Sequence, residues 1–132
     1  MAALFADKRE AGRYVRFTRA AEAALGVYSP GNVTVIVPLR ATRFNRFFHV
    51  NRGTLGIRFP ASESCRSLIR ACGGVIQATS ANISGESPAQ TPEEIKALFN
   101  GIAVYGAEYA QPAGTPSAVI DCTGEEQRVI RA

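Results

Sequence analysis

A run of hydroxyl and amide side chains follows a short apolar segment in the middle of the chain. Residues 75–78 are apolar enough for a buried strand, and they lead into a loop that carries Thr79, Ser80, Asn82 and Ser84. In open α/β sheets, ligands bind just beyond the carboxyl ends of strands, where such donors and acceptors hold polar groups. The pattern predicts a ligand site, although a polar turn without a ligand has the same composition.

The loop is followed by residues that favour the start of a helix. Thr91 suits the N-cap, Pro92 the first helical position, and Glu93 and Glu94 the positive first turn. Gly85 permits a sharp turn within the loop, because it lacks a Cβ. The sequence therefore predicts a strand, a polar loop and a capped helix.

Arg58 has the chemistry to hold an anion. It lies near the end of the alternating segment 53–60, which also contains Thr54 and reads as a strand. A guanidinium can hold a phosphate or a carboxylate through two parallel hydrogen bonds. A partly exposed strand arginine that binds no ligand is the competing interpretation.

The positive charge is concentrated in the first half of the chain. Residues 1–58 contain ten Lys or Arg against three Asp or Glu, whereas the remainder contains five against eight. Within residues 40–52, Arg40, Arg43 and Arg46 alternate with three phenylalanines, a composition typical of surfaces that contact phosphates and stack on bases. A crossover with phenylalanines inward and arginines outward is the favoured interpretation of the segment.

Composition argues against several other classes of protein. The three cysteines, Cys65, Cys72 and Cys122, have no paired spacing, so they predict buried free thiols and no zinc site. His49 has no acidic neighbour to orient it, which argues against catalysis by this histidine. No apolar run reaches the length of a membrane span and no signal peptide is recognisable, so we expect one cytoplasmic domain covering residues 1–132.

Periodicity predicts strands separated by helices, which favours an α/β sheet with some parallel pairing. The first helix is expected to end near Gly26. The second is expected to bury Leu68, Ile69 and Cys72, and the third Ile95, Leu98 and Phe99. Predicted helices cover 7–25, 63–72 and the segment from 91 to 99; predicted strands cover 33–37, 53–60, 75–78, 102–105, 118–121 and 128–131.

Five segments, taken in order and spacing, resemble the YrdC-like family, whose nearest named activity is threonylcarbamoyl-AMP synthase. The most specific is the Thr-Ser-Ala-Asn-x-Ser-Gly stretch. The resemblance implies a twisted, mixed open sheet with flanking helices, in a shortened YrdC-like domain. The segments are Ser29–Thr34, Thr54–Pro60, Ala78–Gly85, Pro116–Asp121 and Arg131.

The resemblance also implies a reaction and a set of site residues. Family enzymes condense threonine, bicarbonate and ATP into threonylcarbamoyl-adenylate for tRNA modification and release pyrophosphate. ATP, with or without Mg²⁺, is then a substrate, and no tightly bound cofactor or metal site is expected. By position, Arg58, Ser80 and Ser117 correspond to threonine-binding residues, and Thr54, Asn82, Thr91 and Arg131 to nucleotide-binding residues.

Two opening segments of the family, Pro-Thr-Asp-Thr-x-Tyr-Gly-Leu and Lys-x-Arg-Pro, have no counterpart in these residues. Three functions therefore stay open. They are a synthase completed by dimerisation or by another chain, a non-catalytic module that binds nucleotide or double-stranded RNA or tRNA through Arg40, Arg43 and Arg46, and an interaction protein that keeps only the fold. A sheet without its first strands should expose an apolar edge, which predicts a homodimer or a covering partner.

Overall fold

The computed structural model describes residues 2–40, 53–105 and 117–132. Its strands in these ranges are β1 (Ala2–Phe5), β2 (Val33–Pro38), β3 (Thr54–Arg58), β4 (Val75–Ala78), β5 (Ala118–Asp121) and β6 (Arg128–Arg131). Its helices are α1 (Lys8–Ala11), α2 (Arg19–Tyr28), α3 (Glu63–Ala71) and α4 (Pro92–Leu98).

The chain divides into two compact units. The first unit comprises Met1–Ala78 and Pro116–Ala132, and it contains the sheet and helices α1 to α3. The second unit, Thr79–Thr115, contains the polar loop and α4.

The strands of the first unit form one mixed sheet in the order β4-β1-β3-β2-β5-β6. Strand β1 runs parallel to β3, and β2 runs parallel to β5, whereas the other neighbours are antiparallel. The run of β-branched residues in β2 suits a strand that lies inside the sheet, between β3 and β5. The predicted mixed open sheet with flanking helices is confirmed.

Strand β1 was missed by the sequence analysis although it lies inside the sheet. It pairs with β3 on one side and β4 on the other, and Ala3 and Phe5 are fully buried. Its four residues are too few to establish a period, and two are alanines, which have a low strand propensity. Tertiary pairing determines this strand.

The single helix predicted over residues 7–25 is wrong. Helix α1 ends at Ala11, Val15 forms a bridge with Leu39, and Thr18 begins α2 by accepting a hydrogen bond from the amide of Ala21. The Thr18 hydroxyl also donates to the carbonyl of Cys122 at 2.6 Å, so the N-cap of α2 is tied to the segment that follows β5. Gly26 does not end this helix, which continues to Tyr28.

The two faces of the sheet have different surroundings. On the first face, Val35 and Ala3 both lie beside Ile57, and all three are fully buried in a core that includes residues of α1 and α2. Because side chains alternate along a strand, the neighbours of these residues lie on the opposite face. We call that opposite face, which carries Thr34, Ile36, Thr54, Arg58, Val119 and Asp121, the second face.

Burial on α3 and α4 is lower than predicted. Ile69 is fully buried, but Leu68 is 56% exposed and Cys72 is also exposed. Cys65 is half-buried and Cys122 buried, so the prediction of three buried thiols holds only for Cys122.

Helix α4 has no fully buried residue, and Leu98 on it is exposed. Residues 102–105 form no strand. Helical periodicity located both helices, but it overestimated how much of each apolar stripe is covered.

Strands β4 and β6 are the two edges of the sheet. On β6, Val129 and Ile130 are more than half exposed, Arg128 and Arg131 stand at the ends, and the pairing with β5 shifts register. A short strand, charged side chains and irregular pairing all make it less favourable for a sheet edge to pair with another chain. The homodimer or covering partner therefore stays a prediction.

Candidate functional site

Arg58 is anchored at the end of β3 by the loop that precedes β2. Its Nε donates to the carbonyl of Gly31 at 3.1 Å, and the Gly31 amide donates to the carbonyl of Phe59 at 3.0 Å. The antiparallel register that pairs Val35 with Ile57 places Thr34 beside Arg58, one step further on. The stem of Arg58 is thus fixed while its two terminal nitrogens remain available as donors within the described residues.

Arg58 begins a row of polar side chains at this end of the sheet. The row continues onto β2 and the residue before β5 as a pair of hydroxyls. Thr34 lies beside Val119 in the parallel pairing of β2 with β5, and Ser117 precedes Val119 by two residues. The Thr34 Oγ1 and Ser117 Oγ atoms are 3.2 Å apart. Thr34 is only 7% exposed, and among the described residues it is the one polar side chain classed as buried.

Arg131 ends the row on β6. It lies opposite Val119, and its Nε and Nη2 atoms donate to the carbonyl of Ser117 at 3.1 and 2.8 Å. Three strand spacings separate β3 from β6, so Arg58 and Arg131 are about 14 Å apart across the sheet. Arg58, Ser117 and Arg131, three of the predicted site residues, lie at the same end of the sheet.

Thr54 lies on the second face but at the opposite end of β3. It pairs with Pro38, four residues from Arg58 and therefore about 13 Å away along the strand. Thr34 was not among the predicted site residues, because a threonine within a Val-Thr-Val-Ile-Val run is explained by strand propensity alone. Only the pairing of β2 with β5 reveals its contact with Ser117.

In the second unit, Ser80 and Asn82 contact each other within the polar loop. The Ser80 hydroxyl donates to Oδ1 of Asn82, whose Nδ2 donates to the carbonyls of Ile83 and Glu86 at 2.9 and 2.8 Å. Gly85 has a φ of +90°, in agreement with the predicted turn. Asn82 therefore shapes the loop, and Ser80 is an exposed hydroxyl beside it.

Thr91 caps α4 as predicted. Its hydroxyl oxygen accepts a hydrogen bond from the amide of Glu94 at 3.2 Å, and the Glu94 carboxylate accepts from the amide of Gln90 at 2.6 Å. The two contacts define the end of the polar loop. The hydroxyl proton of Thr91 is still available to a ligand.

An acidic group, Asp121, pairs with Arg128 at the turn end of the β5–β6 hairpin, whereas Arg131 lies at the other end. Hydrogen bonds from the hydroxyl and amide of Thr123, and then the guanidinium of Arg128, hold the pKa of Asp121 below its ordinary value. The hydroxyl–carboxylate and guanidinium–carboxylate distances are 2.7 and 3.0 Å. These contacts stabilise the β5–β6 hairpin that carries Arg131.

Burial, and then the charge of Asp121, raises the pKa of the Cys122 thiol, which keeps that thiol protonated.

The predicted basic surface is described only in part. Arg40 is exposed, and its Nε donates to the carbonyl of Val15 at 2.9 Å. Arg43, Arg46 and the candidate His49 lie outside the described residues. In the ranges that the structure covers, no three His, Cys, Asp or Glu side chains cluster as metal ligands, and none of the helices is long and apolar enough to cross a membrane.

A cavity of about 370 Å³ lies on the helix side of the first unit. Residues of α1, α2 and α3 line it together with Phe59 and Pro60, and none of the predicted site residues does. Among its charged lining residues, Lys8 contacts Glu22, Arg66 contacts Glu63 outside the lining, and Asp7 caps α1. The cavity and the second face are therefore separate places where a ligand could be sought.

The whole chain matches one protein family. The model of the Sua5/YciO/YrdC family, described as telomere recombination, matches residues 1–132. The threonylcarbamoyl-AMP synthase of Idiomarina loihiensis is 37% identical over 70 residues, which cover 53% of this chain and 37% of that protein. The chain thus aligns with little more than a third of this curated relative.

Solved structures share the fold. The crystal structure of E. coli YciO superposes with a TM-score of 0.78 at 25% identity, covering 98% of this chain and 65% of YciO. The P. abyssi Sua5 structure complexed with L-threonine superposes with a TM-score of 0.73 at 23% identity, covering 98% of this chain and 38% of Sua5. These superpositions show that the chain shares the fold of these proteins.

The hairpin contacts of Asp121 predict a dependence of stability on pH. A carboxylate whose pKa is lowered by folding stabilises the protein above its unfolded pKa of about 4, and this stabilisation is lost as the pH falls through the lower folded pKa. We expect Asp121→Asn to lower the free energy of unfolding by about 1 kcal/mol at pH 7. In urea unfolding, the difference from wild type should shrink between pH 5 and pH 3.

Glu125→Gln on the same hairpin is the control, because Glu125 is exposed. It should change the free energy of unfolding little at either pH. A difference for Asp121→Asn that stays constant down to pH 3 would contradict this role of the carboxylate.

Proposed function

Because the chain belongs to the Sua5/YciO/YrdC family, we propose that the second face of its sheet binds threonine and a nucleotide for the formation of threonylcarbamoyl-AMP. The observation that carries this proposal is the row formed by Arg58, the Thr34–Ser117 hydroxyl pair and Arg131. The row combines two cations with hydroxyl groups at one end of the sheet. Such donors suit a ligand with a carboxylate at one end and a phosphate at the other.

The positions of the two arginines assign them to different parts of the ligand. Arg58, with its Nε held by Gly31, offers its terminal nitrogens to the threonine carboxylate. Ser117 offers a hydroxyl to the same substrate, and Arg131 offers its remaining N–H donors to the nucleotide. Ser80 is assigned to threonine, and Thr54, Asn82 and Thr91 to the nucleotide, on the family motif.

This arrangement suits a reaction that needs alignment more than a protein nucleophile. The amine of threonine and bicarbonate give a carbamate and water, and one carbamate oxygen then attacks the α-phosphorus of ATP while the bond to pyrophosphate breaks. The protein stabilises the anionic groups and holds them in line. Arginine and hydroxyl side chains are sufficient for that task, so a catalytic histidine is not required.

We propose that the full reaction also needs a basic segment that binds the polyphosphate of ATP. The chain aligns with 37% of the Idiomarina loihiensis synthase, and its 132 residues contain no Lys-x-Arg-Pro segment. Residues outside these 132, in the same or in another polypeptide, would supply that segment. The product would serve tRNA modification in the cytoplasm, with ATP and its Mg²⁺ as substrate.

Arg58→Ala is the direct test of threonine binding. A charged hydrogen bond contributes about 1.5 to 3 kcal/mol, so the variant should bind L-threonine at least about tenfold more weakly than wild type. Isothermal titration with L-threonine, in the absence and presence of ATP, measures this. Positive coupling between the two ligands is expected if they meet on one face.

Arg70→Ala on α3 is the matched control, because Arg70 is an exposed arginine paired with Glu63. It should leave threonine affinity within about twofold of wild type. Equal affinities of Arg58→Ala and wild type for threonine would refute the assignment of Arg58.

A second candidate function is binding of tRNA or double-stranded RNA. The antiparallel Val15–Leu39 bridge places Arg16 opposite Pro38 and Arg40 opposite Tyr14, so the two arginines lie diagonally across the bridge, and both are exposed. The amide of Arg16 donates to Pro38 and that of Arg40 to Tyr14, so the backbone fixes their spacing. Arginines held in this way can contact successive phosphates.

The double variant Arg16→Gln/Arg40→Gln tests this candidate. If both side chains neutralise phosphates, the slope of log affinity against log salt concentration should become shallower by about 2, as measured by fluorescence anisotropy with a labelled RNA duplex. The control Arg66→Gln/Arg70→Gln removes the same charge from α3. Equal losses in the two double variants would exclude a defined RNA site at Arg16 and Arg40.

A further inference from the structure

We infer that Thr34 is a positioning residue that aligns the Ser117 hydroxyl for the amino acid substrate. This inference rests on the proposed function, because it assumes that Ser117 contacts threonine. Thr34 itself lies beneath the surface of the second face, with 7% of its area exposed. It acts on the substrate through Ser117.

Burial gives the Thr34 hydroxyl few possible partners. A buried hydroxyl is costly unless it forms a hydrogen bond, and the described residues give this one a single partner, the Ser117 hydroxyl at 3.2 Å. No buried side-chain nitrogen or oxygen in the described ranges lacks a partner. Because a threonine on a strand is stiff at χ1, its hydroxyl offers Ser117 a fixed point.

The backbone around Ser117 is fixed independently. Its carbonyl accepts both hydrogen bonds from Arg131, and the amide of the next residue, Ala118, donates to the carbonyl of Asn32 at 3.1 Å. What remains free is rotation of the Ser117 side chain among three staggered positions. The contact with Thr34 selects one of them.

The hydroxyl pair can also adapt to the charge of its ligand. Either oxygen can be the donor. When Ser117 donates to a carboxylate, it accepts from Thr34; when Ser117 accepts from an ammonium or amide N–H, it donates to Thr34. The same pair therefore serves the amino acid before and after its nitrogen loses its positive charge.

Two substitutions separate alignment from packing. Thr34→Val keeps the branched shape of the side chain but removes the hydroxyl, whereas Thr34→Ser keeps the hydroxyl and removes a methyl group. Ile36→Val, on the same face of β2, is the control for a small packing change. Urea unfolding of all three variants establishes that each one folds.

The binding measurement is isothermal titration of each variant of the 132-residue chain with L-threonine. Loss of one neutral hydrogen bond corresponds to a five- to tenfold weaker affinity, so Thr34→Val should show about that change. Thr34→Ser should remain within about threefold of wild type, and Ile36→Val within about twofold. This rescue by serine supports alignment, because a role in packing alone would favour valine over serine.

Two results would overturn the inference, and they are distinguishable from failure of the proposed function. If wild type binds threonine and Thr34→Val binds it equally well, or if valine and serine weaken binding to the same extent, Thr34 does not align Ser117. If wild type itself does not bind threonine, the proposed function fails and the inference fails with it.

Discussion

Alternation of side chains along β2 and β3 is the constraint on which the candidate site depends. Val35 and Ile57 are fully buried on the helix side, and this places Thr34 and Arg58 on the second face. A slip of one residue in the pairing would exchange the two sets, burying a guanidinium and exposing the core. The apolar residues of the first face thus fix the register that brings the polar residues of the second face together.

The contacts at the two ends of the row show how the fold supports it. At one end the loop before β2 holds the Arg58 stem through the Gly31 carbonyl, and at the other the β5–β6 hairpin holds Arg131 against Ser117. Both arginines therefore have part of their donor capacity fixed to backbone carbonyls. Anchoring of this kind reduces the conformational entropy that a long side chain loses when it binds an anion.

Sequence reasoning was most successful where one local pattern determines the structure. The β-branched run of β2, the cap at Thr91 and the turn at Gly85 are all set by nearby residues. It failed where distant contacts decide, as in β1 and in the break before Thr18, whose hydroxyl bonds to Cys122 across 104 positions of sequence. Thr34 was missed for the same reason, because its partner Ser117, immediately before β5, is 83 positions away in the sequence.

The central claim is that the second face, and not the helix-side cavity, receives the amino acid. Titration of the ¹⁵N-labelled chain with L-threonine, followed by backbone amide chemical shifts, tests this most directly. The account predicts that the largest shifts occur at Thr34, Arg58 and Ala118, around the proposed subsite. Shifts concentrated at Leu25 and Gly26 in the lining of the cavity, or no shifts at saturating threonine, would contradict it.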